Sequence, residues 1–239
     1  VIATALRRFR PRAARTCTGP VQAADPARQD GARPGPRAPS AGQSNVFSRI
    51  ELFKTEQERA MPQLNFGQPA DGIMQMAYVV DDLQRAIGHW VDRLNVGPWF
   101  VLDHFTGEHA VYRGRPSEAD VGIAMAFAGH MNIELIAPND EHPSVYKELI
   151  EARGYGFHHF GRASADVDAD VERLQTDGLE VAFRAGVPTG GDVVYMDTHG
   201  ALPGFIELIP TTPLMEQAFT GFYRASLGWD GADPIRPFM

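Results

Sequence analysis

Two glutamates occupy positions where carboxylates are uncommon. Glu134 lies in Met131-Asn-Ile-Glu134-Leu-Ile-Ala-Pro138, and Glu207 lies in Gly204-Phe-Ile-Glu207-Leu-Ile-Pro210. Both runs read as short apolar strands. A carboxylate buried in such a run is costly unless it is paired or metal-bound. Two further polar residues recur in step with them. Gln75 and His159 each stand in an extended run, seven residues before an aspartate, Asp82 and Asp166 respectively. The single cysteine, Cys17, excludes an intrachain disulfide framework and any Cys-rich zinc or iron–sulfur site. A metal in this chain would need His, Glu, Asp or Gln ligands. Plainer readings exist for each residue: both glutamates on a solvated sheet face, His159 as a hydrogen-bonded core histidine, Gln75 on the surface. The pairing of positions within a repeat weighs against coincidence.

The elements that must position these residues form that repeat. The run from Gln75 to Asp82 leads into a helical stretch ending at Leu94, and the run from His159 to Asp166 leads into another ending at Leu174. Either aspartate can cap the helix that follows it. Two strand-like runs separate each helix from its glutamate strand: Trp99–Phe105 and Val121–Ala128, then Leu179–Arg184 and Asp192–Asp197. Each unit therefore reads β-α-β-β-β, and the fold class is α+β. Unit one covers about 71–138 and unit two about 156–210. A linker helix is expected over 144–153, with Gly154 placed to stop it. The tail, 211–239, is expected to hold a short helix near 213–226. Its Phe219, Phe222, Tyr223, Leu227 and Trp229 are too many large apolar groups to leave in water, so it should lie against the body.

Paired β-α-β-β-β units with His or Gln on the first strand and Glu on the last resemble the vicinal oxygen chelate superfamily, which includes glyoxalase I, methylmalonyl-CoA epimerase, extradiol dioxygenases and bleomycin-resistance proteins. The passage from Ile133-Glu134-Leu-Ile-Ala-Pro to Gly156-Phe-His158-His159-Phe is similar to the epimerase-like branch. The resemblance covers about 71–210. It implies that the units pair into a curved, half-open sheet around one divalent ion (Zn, Ni, Co, Mn or Mg) and a small-molecule substrate. The implied metal ligands are Gln75, Glu134, His159 and Glu207. His158 precedes the matching position, and strand alternation aims it at the opposite face. Gln75 departs from the His usual in the epimerases and dioxygenases, and it matches eukaryotic-type glyoxalase I. A two-His-one-carboxylate iron site would lack a His, which disfavours a dioxygenase.

Such a site suits a metal-dependent isomerase, epimerase or lyase that works through an enolate. Glu207 is the first choice as the base that takes the proton, and Glu134 the second. The rival reading is a sequestering protein that binds a small molecule on the same sheet without catalysis. Glu118 lies roughly where epimerase relatives place a second acid/base residue, with a solvated loop position as the simpler reading. Arg113 and Arg115 also read as loop residues. Relatives form the site within one chain or across a dimer, so the resemblance leaves a homodimer open.

Charge and composition set outer limits. Residues 1–60 carry 11 Lys+Arg and 5 Asp+Glu, whereas 61–239 carry 11 and 25. The acidic body argues against nucleic acid and anionic membranes as partners. Residues 1–40 are rich in Ala, Arg, Pro and Gly without apolar periodicity, so disorder is expected there. No apolar stretch follows Arg7-Arg8, which weakens an export-signal reading, and a cytoplasmic location is expected. The chain opens with Val, and globular sequence follows Met61. The expectation is that 1–60 are, wholly or in part, an extension outside the native protein, with the working domain at 61–239.

Overall fold

A computed structural model describes residues 62–238, and the expectation about residues 1–60 lies outside them. The first unit begins with β1 (Ile73–Val79) and α1 (Leu83–Leu94). It continues through β2 (Trp99–Phe105), β3 (Glu108–Tyr112), β4 (Arg115–Pro116), β5 (Val121–Ala128) and β6 (Met131–Pro138). The linker helix α2 (Val145–Arg153) follows. The second unit is β7 (Gly156–Ser164), α3 (Val167–Thr176), β8 (Glu180–Gly186), β9 (Asp192–Asp197) and β10 (Phe205–Pro210). The tail forms α4 (Pro213–Ser226) and a short β11 (Ile235–Pro237).

Local chemistry sets the helix starts. Asp82 accepts a hydrogen bond from the Arg85 amide, and Asp166 accepts one from the Ala169 amide. These satisfy amides that have no partner in the first turn. Ser144 caps α2 in the same way, and Gly154 ends it at φ +81°. Thr212 caps α4 from one side and donates its hydroxyl to the Thr189 carbonyl on the other. Thr212→Ala should therefore cost about 1–2 kcal/mol. Urea denaturation reads this as a lowered midpoint, with Thr212→Ser holding the wild-type value.

All eleven strands join one open, curved sheet in the order β11-β2-β5-β6-β1-β7-β10-β9-β8-β3-β4. The two units meet at the centre, where β1 pairs antiparallel with β7. Each opening strand also lies parallel to the glutamate strand of its own unit, β1 beside β6 and β7 beside β10. Strand alternation sorts the side chains onto two faces. On the outer face, Ala124, Ala126, Ile133 and Leu135 pack under α1, and Val194, Met196 and Leu208 pack under α3 with Val171. The residues between them on the same strands, Met125, Glu134, Tyr195, Glu207 and Ile209 among them, therefore point to the inner face.

The β3–β4 hairpin has no counterpart in the second unit. It arises between β2 and β5, yet β3 pairs with β8 at the far edge of the sheet. At the other edge β11 pairs with β2. The tail lies against the body through Phe219 and Phe222, both buried, with Phe222 stacked on Phe100 at 4.1 Å. Tyr223 and Trp229 are half-buried. Leu227 departs from expectation and is 59% exposed.

Candidate metal centre

The sheet brings the four residues singled out by sequence to one place. Gln75 and Glu134 come from neighbouring strands of the first unit, and His159 and Glu207 from neighbouring strands of the second. All four are buried. His159 Nε2 is the hub: it stands 3.0 Å from Glu207 Oε2, 3.3 Å from Glu134 Oε2 and 3.4 Å from Gln75 Oε1. The donor atoms of Glu134, His159 and Glu207 all lie within 4.8 Å of one another. The glutamates thus face inward, and the solvated-face reading does not hold.

Gly161 makes room for this convergence. It pairs with Gln75 on one side and with Glu207 on the other. A Cβ at this position would stand 2.6 Å from Gln75 Oε1 and 2.7 Å from Ile209 Cδ1. Asn132 completes the support, since its Oδ1 accepts from Gln75 Nε2 at 3.0 Å and turns the amide oxygen toward the cluster.

Electrostatics follow from burial. Desolvation alone would lower the His159 pKa, but the Glu207 charge and the acceptor oxygens of both glutamates outweigh it, raising it to about 9. Desolvation raises Glu134, opposed by the nearby His159 and reinforced by the Glu207 charge. Despite its position beside Nε2, Glu134 Oε2 has no hydrogen-bond partner. An orphaned, buried carboxylate oxygen is a costly atom, and a cation would satisfy it. The donor set of one imidazole nitrogen and three oxygens suits a borderline divalent ion. In a tetrahedral site with ligands at about 2.1 Å, neighbouring donors stand about 3.4 Å apart. The observed spacings around Nε2 already approach that value.

His158 is not aimed away from the site. Ala77 pairs with His159 and Tyr78 with Phe157, so His158 is the extra residue of a β-bulge in β7. The bulge breaks the alternation. His158 Nδ1 comes within 2.8 Å of His159 Nδ1, and its Nε2 lies 3.2 Å from the Val145 carbonyl oxygen. The carbonyl can only accept, so His158 Nε2 must donate. Burial and the neighbouring His159 charge lower the His158 pKa well below its usual value, so its Nδ1 carries no proton and accepts from His159. This order of hydrogen bonds leaves His159 Nε2 as the nitrogen facing the carboxylates. His158→Phe keeps the ring among Tyr146, Tyr195 and Phe205 but removes the acceptor. Zinc affinity should fall about 10–100-fold in a competition titration, with the far-ultraviolet spectrum unchanged.

A cavity of about 60 Å³ opens beside the cluster. Gln75, Glu134 and Glu207 line its floor, and Tyr146 and Tyr195 reach it from α2 and β9. Sequence reasoning missed both tyrosines, since each sits in an ordinary amphipathic run and only the fold turns it inward. Other candidates fall elsewhere. Glu118 is exposed between β4 and β5. Arg113 pairs with Glu148 and Asp197, both at 2.5 Å, and Arg115 is exposed.

Residues 74–195 match the family model described as the Glyoxalase/Bleomycin resistance protein/Dioxygenase superfamily. The chain belongs to that superfamily. Glu207 lies beyond the matched stretch, and its place in the cluster comes from the geometry alone. No curated protein matches this chain. Among solved structures, methylmalonyl-CoA epimerase from Mycobacterium tuberculosis is 21% identical, with a TM-score of 0.45, covering 62% of this chain and 92% of that one. A variant of the Streptomyces coelicolor methylmalonyl-CoA epimerase, in complex with 2-nitronate-propionyl-CoA, is 16% identical with a TM-score of 0.45, covering 60% and 96%. A hypothetical protein from Bacillus halodurans is 18% identical with a TM-score of 0.46, covering 59% and 95%. No helix among the described residues is long and apolar enough to cross a membrane.

Proposed function

We propose that this protein is a metal-dependent isomerase, epimerase or lyase. It removes a proton from a carbon beside a carbonyl, through an enolate, on a small oxygen-rich substrate. The observation that carries this reading is the convergence of Gln75, Glu134 and Glu207 on His159 Nε2 at the floor of an otherwise apolar cavity. Residues 61–239 are the proposed working domain, as a cytoplasmic protein and with a homodimer left open. Gln75, Glu134, His159 and Glu207 would hold the ion. A divalent ion in this place supplies Lewis acidity toward a carbonyl oxygen.

The chain's own residues supply the rest. Glu207 lines the cavity and takes the proton from the substrate carbon. Tyr146 and Tyr195 are kept protonated by burial, which pushes both phenols up from their usual range. Their hydroxyls stand 3.4 Å apart, so one donates to the other and the second is left to donate a hydrogen bond to a substrate oxygen. The apolar walls exclude water, which strengthens every charge interaction at the floor. His158 offers no second histidine ligand, because both of its nitrogens are committed to His159 and Val145. That commitment disfavours a two-His-one-carboxylate dioxygenase. A pure sequestering role leaves two buried carboxylates without a task.

Metal analysis of protein purified without added metal tests the reading first, with about one divalent ion per chain expected. The second readout is deuterium wash-in on acetoin, a neutral molecule with adjacent oxygens and an exchangeable C–H, followed by NMR. Metal-free protein that also fails to take up zinc, nickel, cobalt or manganese would overturn the reading in favour of a binding protein.

A further inference from the structure

The walls of the cavity carry information about the substrate that its floor does not. Beside the carboxylates the lining is apolar and includes Leu102, Ile123, Met125, Val193, Phe219 and Phe238. The other polar side chains on it are the neutral hydroxyls of Tyr146, Tyr195 and Thr189. Among the described residues, no Lys or Arg lines it. The nearby arginines are engaged elsewhere, Arg113 with Glu148 and Asp197, and Arg184 with Asp168 and Asp192.

Charge balance then limits what can enter. Two carboxylates and one divalent ion sum to zero, since an imidazole nitrogen that ligates an ion carries no proton. An anionic substrate would leave net negative charge in an apolar enclosure with no cation to pair it, and such burial is strongly disfavoured. Size adds a second limit. A cavity of about 150 Å³ is what holds a benzene ring in an engineered protein, and this one is about 60 Å³. Two of the lining phenylalanines come from the tail. Phe238 follows β11, with its amide bonded to the Val101 carbonyl at 3.1 Å, and Phe219 sits on α4. Both lie outside the stretch matched by the family model, so this part of the wall belongs to the chain's own tail.

We propose that the substrate is a small, uncharged molecule with two adjacent oxygens on an apolar body, and that Phe238 sets its size limit. A carboxylate-bearing substrate is excluded from the enclosed part of the site. The proposal rests on the metal-centre reading for the adjacent oxygens and for the charge balance of the floor, and on the walls for the lack of a pairing cation.

The test uses two uncharged molecules with adjacent oxygens, acetoin and the larger 2-hydroxyacetophenone, against malonate, a chelating dianion. Each is titrated calorimetrically into the full-length, zinc-loaded protein, with zinc uptake measured separately. Acetoin should bind at least tenfold more tightly than malonate. Phe238→Ala should tighten 2-hydroxyacetophenone at least threefold and leave malonate unimproved. Malonate binding as well as acetoin would overturn the proposal. If neither binds the wild type, the comparison passes to 2-hydroxyacetophenone on Phe238→Ala, where its failure overturns the proposal. If zinc itself does not bind, the metal-centre reading falls, whereas zinc binding with malonate held as well as acetoin overturns the selection for neutrality alone.

Discussion

Glutamine in place of Glu207 should leave zinc bound and slow deuterium wash-in on acetoin by about 10²–10⁴-fold, the range of a lost general base. The substitution keeps the shape and an oxygen donor, and it removes one negative charge and the proton acceptor. Glu207 faces the cavity while its Oε2 stands 3.0 Å from His159 Nε2, so it touches both the hub of the cluster and the space a substrate would fill. Glu134 is the rival base. Its Oε2 has no hydrogen-bond partner, a state that fits a ligand better than a group that must let go and hold a proton. Wild-type wash-in in Glu207→Gln, with loss in Glu134→Gln, would exchange the two roles. His159→Ala tests the metal rather than the base. It removes the nitrogen around which the three oxygens gather and should abolish stoichiometric zinc binding.

Alanine at position 204 should destabilise the fold by about 4 kcal/mol or more, at the severe end for single substitutions. Gly204 has φ +92°, and a Cβ there would stand 2.1 Å from the His158 carbonyl oxygen and 2.9 Å from its carbon. The obstacle is backbone, so no side chain can swing away to relieve it. The left-handed φ adds a strain of about 1–3 kcal/mol of its own. The displaced carbonyl belongs to the bulge that holds His158 against His159, so zinc affinity should fall together with the urea midpoint. Gly221 is the control. It lies in α4 with nothing within 4 Å of its would-be Cβ, and Gly221→Ala should be neutral or stabilising by up to about 1 kcal/mol. Equal midpoints for the two variants would refute the steric argument.

Much of the site was legible because the chain writes it twice. The Asp82 and Asp166 caps, the glutamate strands and the seven-residue offset of Gln75 and His159 are all local features, and each appears in its place. The linker helix was legible for a related reason, since Ser144 and Gly154 mark its ends. The bulge at His158 was not. It exists because β7 slips by one residue against β1, and a register is a property of two strands, visible in neither alone. The role of Gly161 was hidden in the same way, since a missing side chain matters only once Gln75 and Glu207 flank it. The tail helix at 213–226 could be read from its pattern, but not that Phe219 and Phe238 would wall the cavity. The β3–β4 hairpin gives no comparable signal, because its strands are five and two residues long and β3 partners β8, some seventy residues away.

That hairpin and β11 make the two halves of the chain mutually dependent. A fragment ending before α2 would keep β3–β4 but lose the β8 edge that receives it. The same fragment would leave β2 without β11, presenting a bare strand edge of the kind that recruits other chains. The complementary fragment would hold β11 with nothing to pair against. Neither half is thus a free-standing copy of the ancestral unit that the repeat suggests. Co-expressed, however, each carries the strand that seals the other, which makes the chain a natural scaffold for a split reporter cut in the α2 linker.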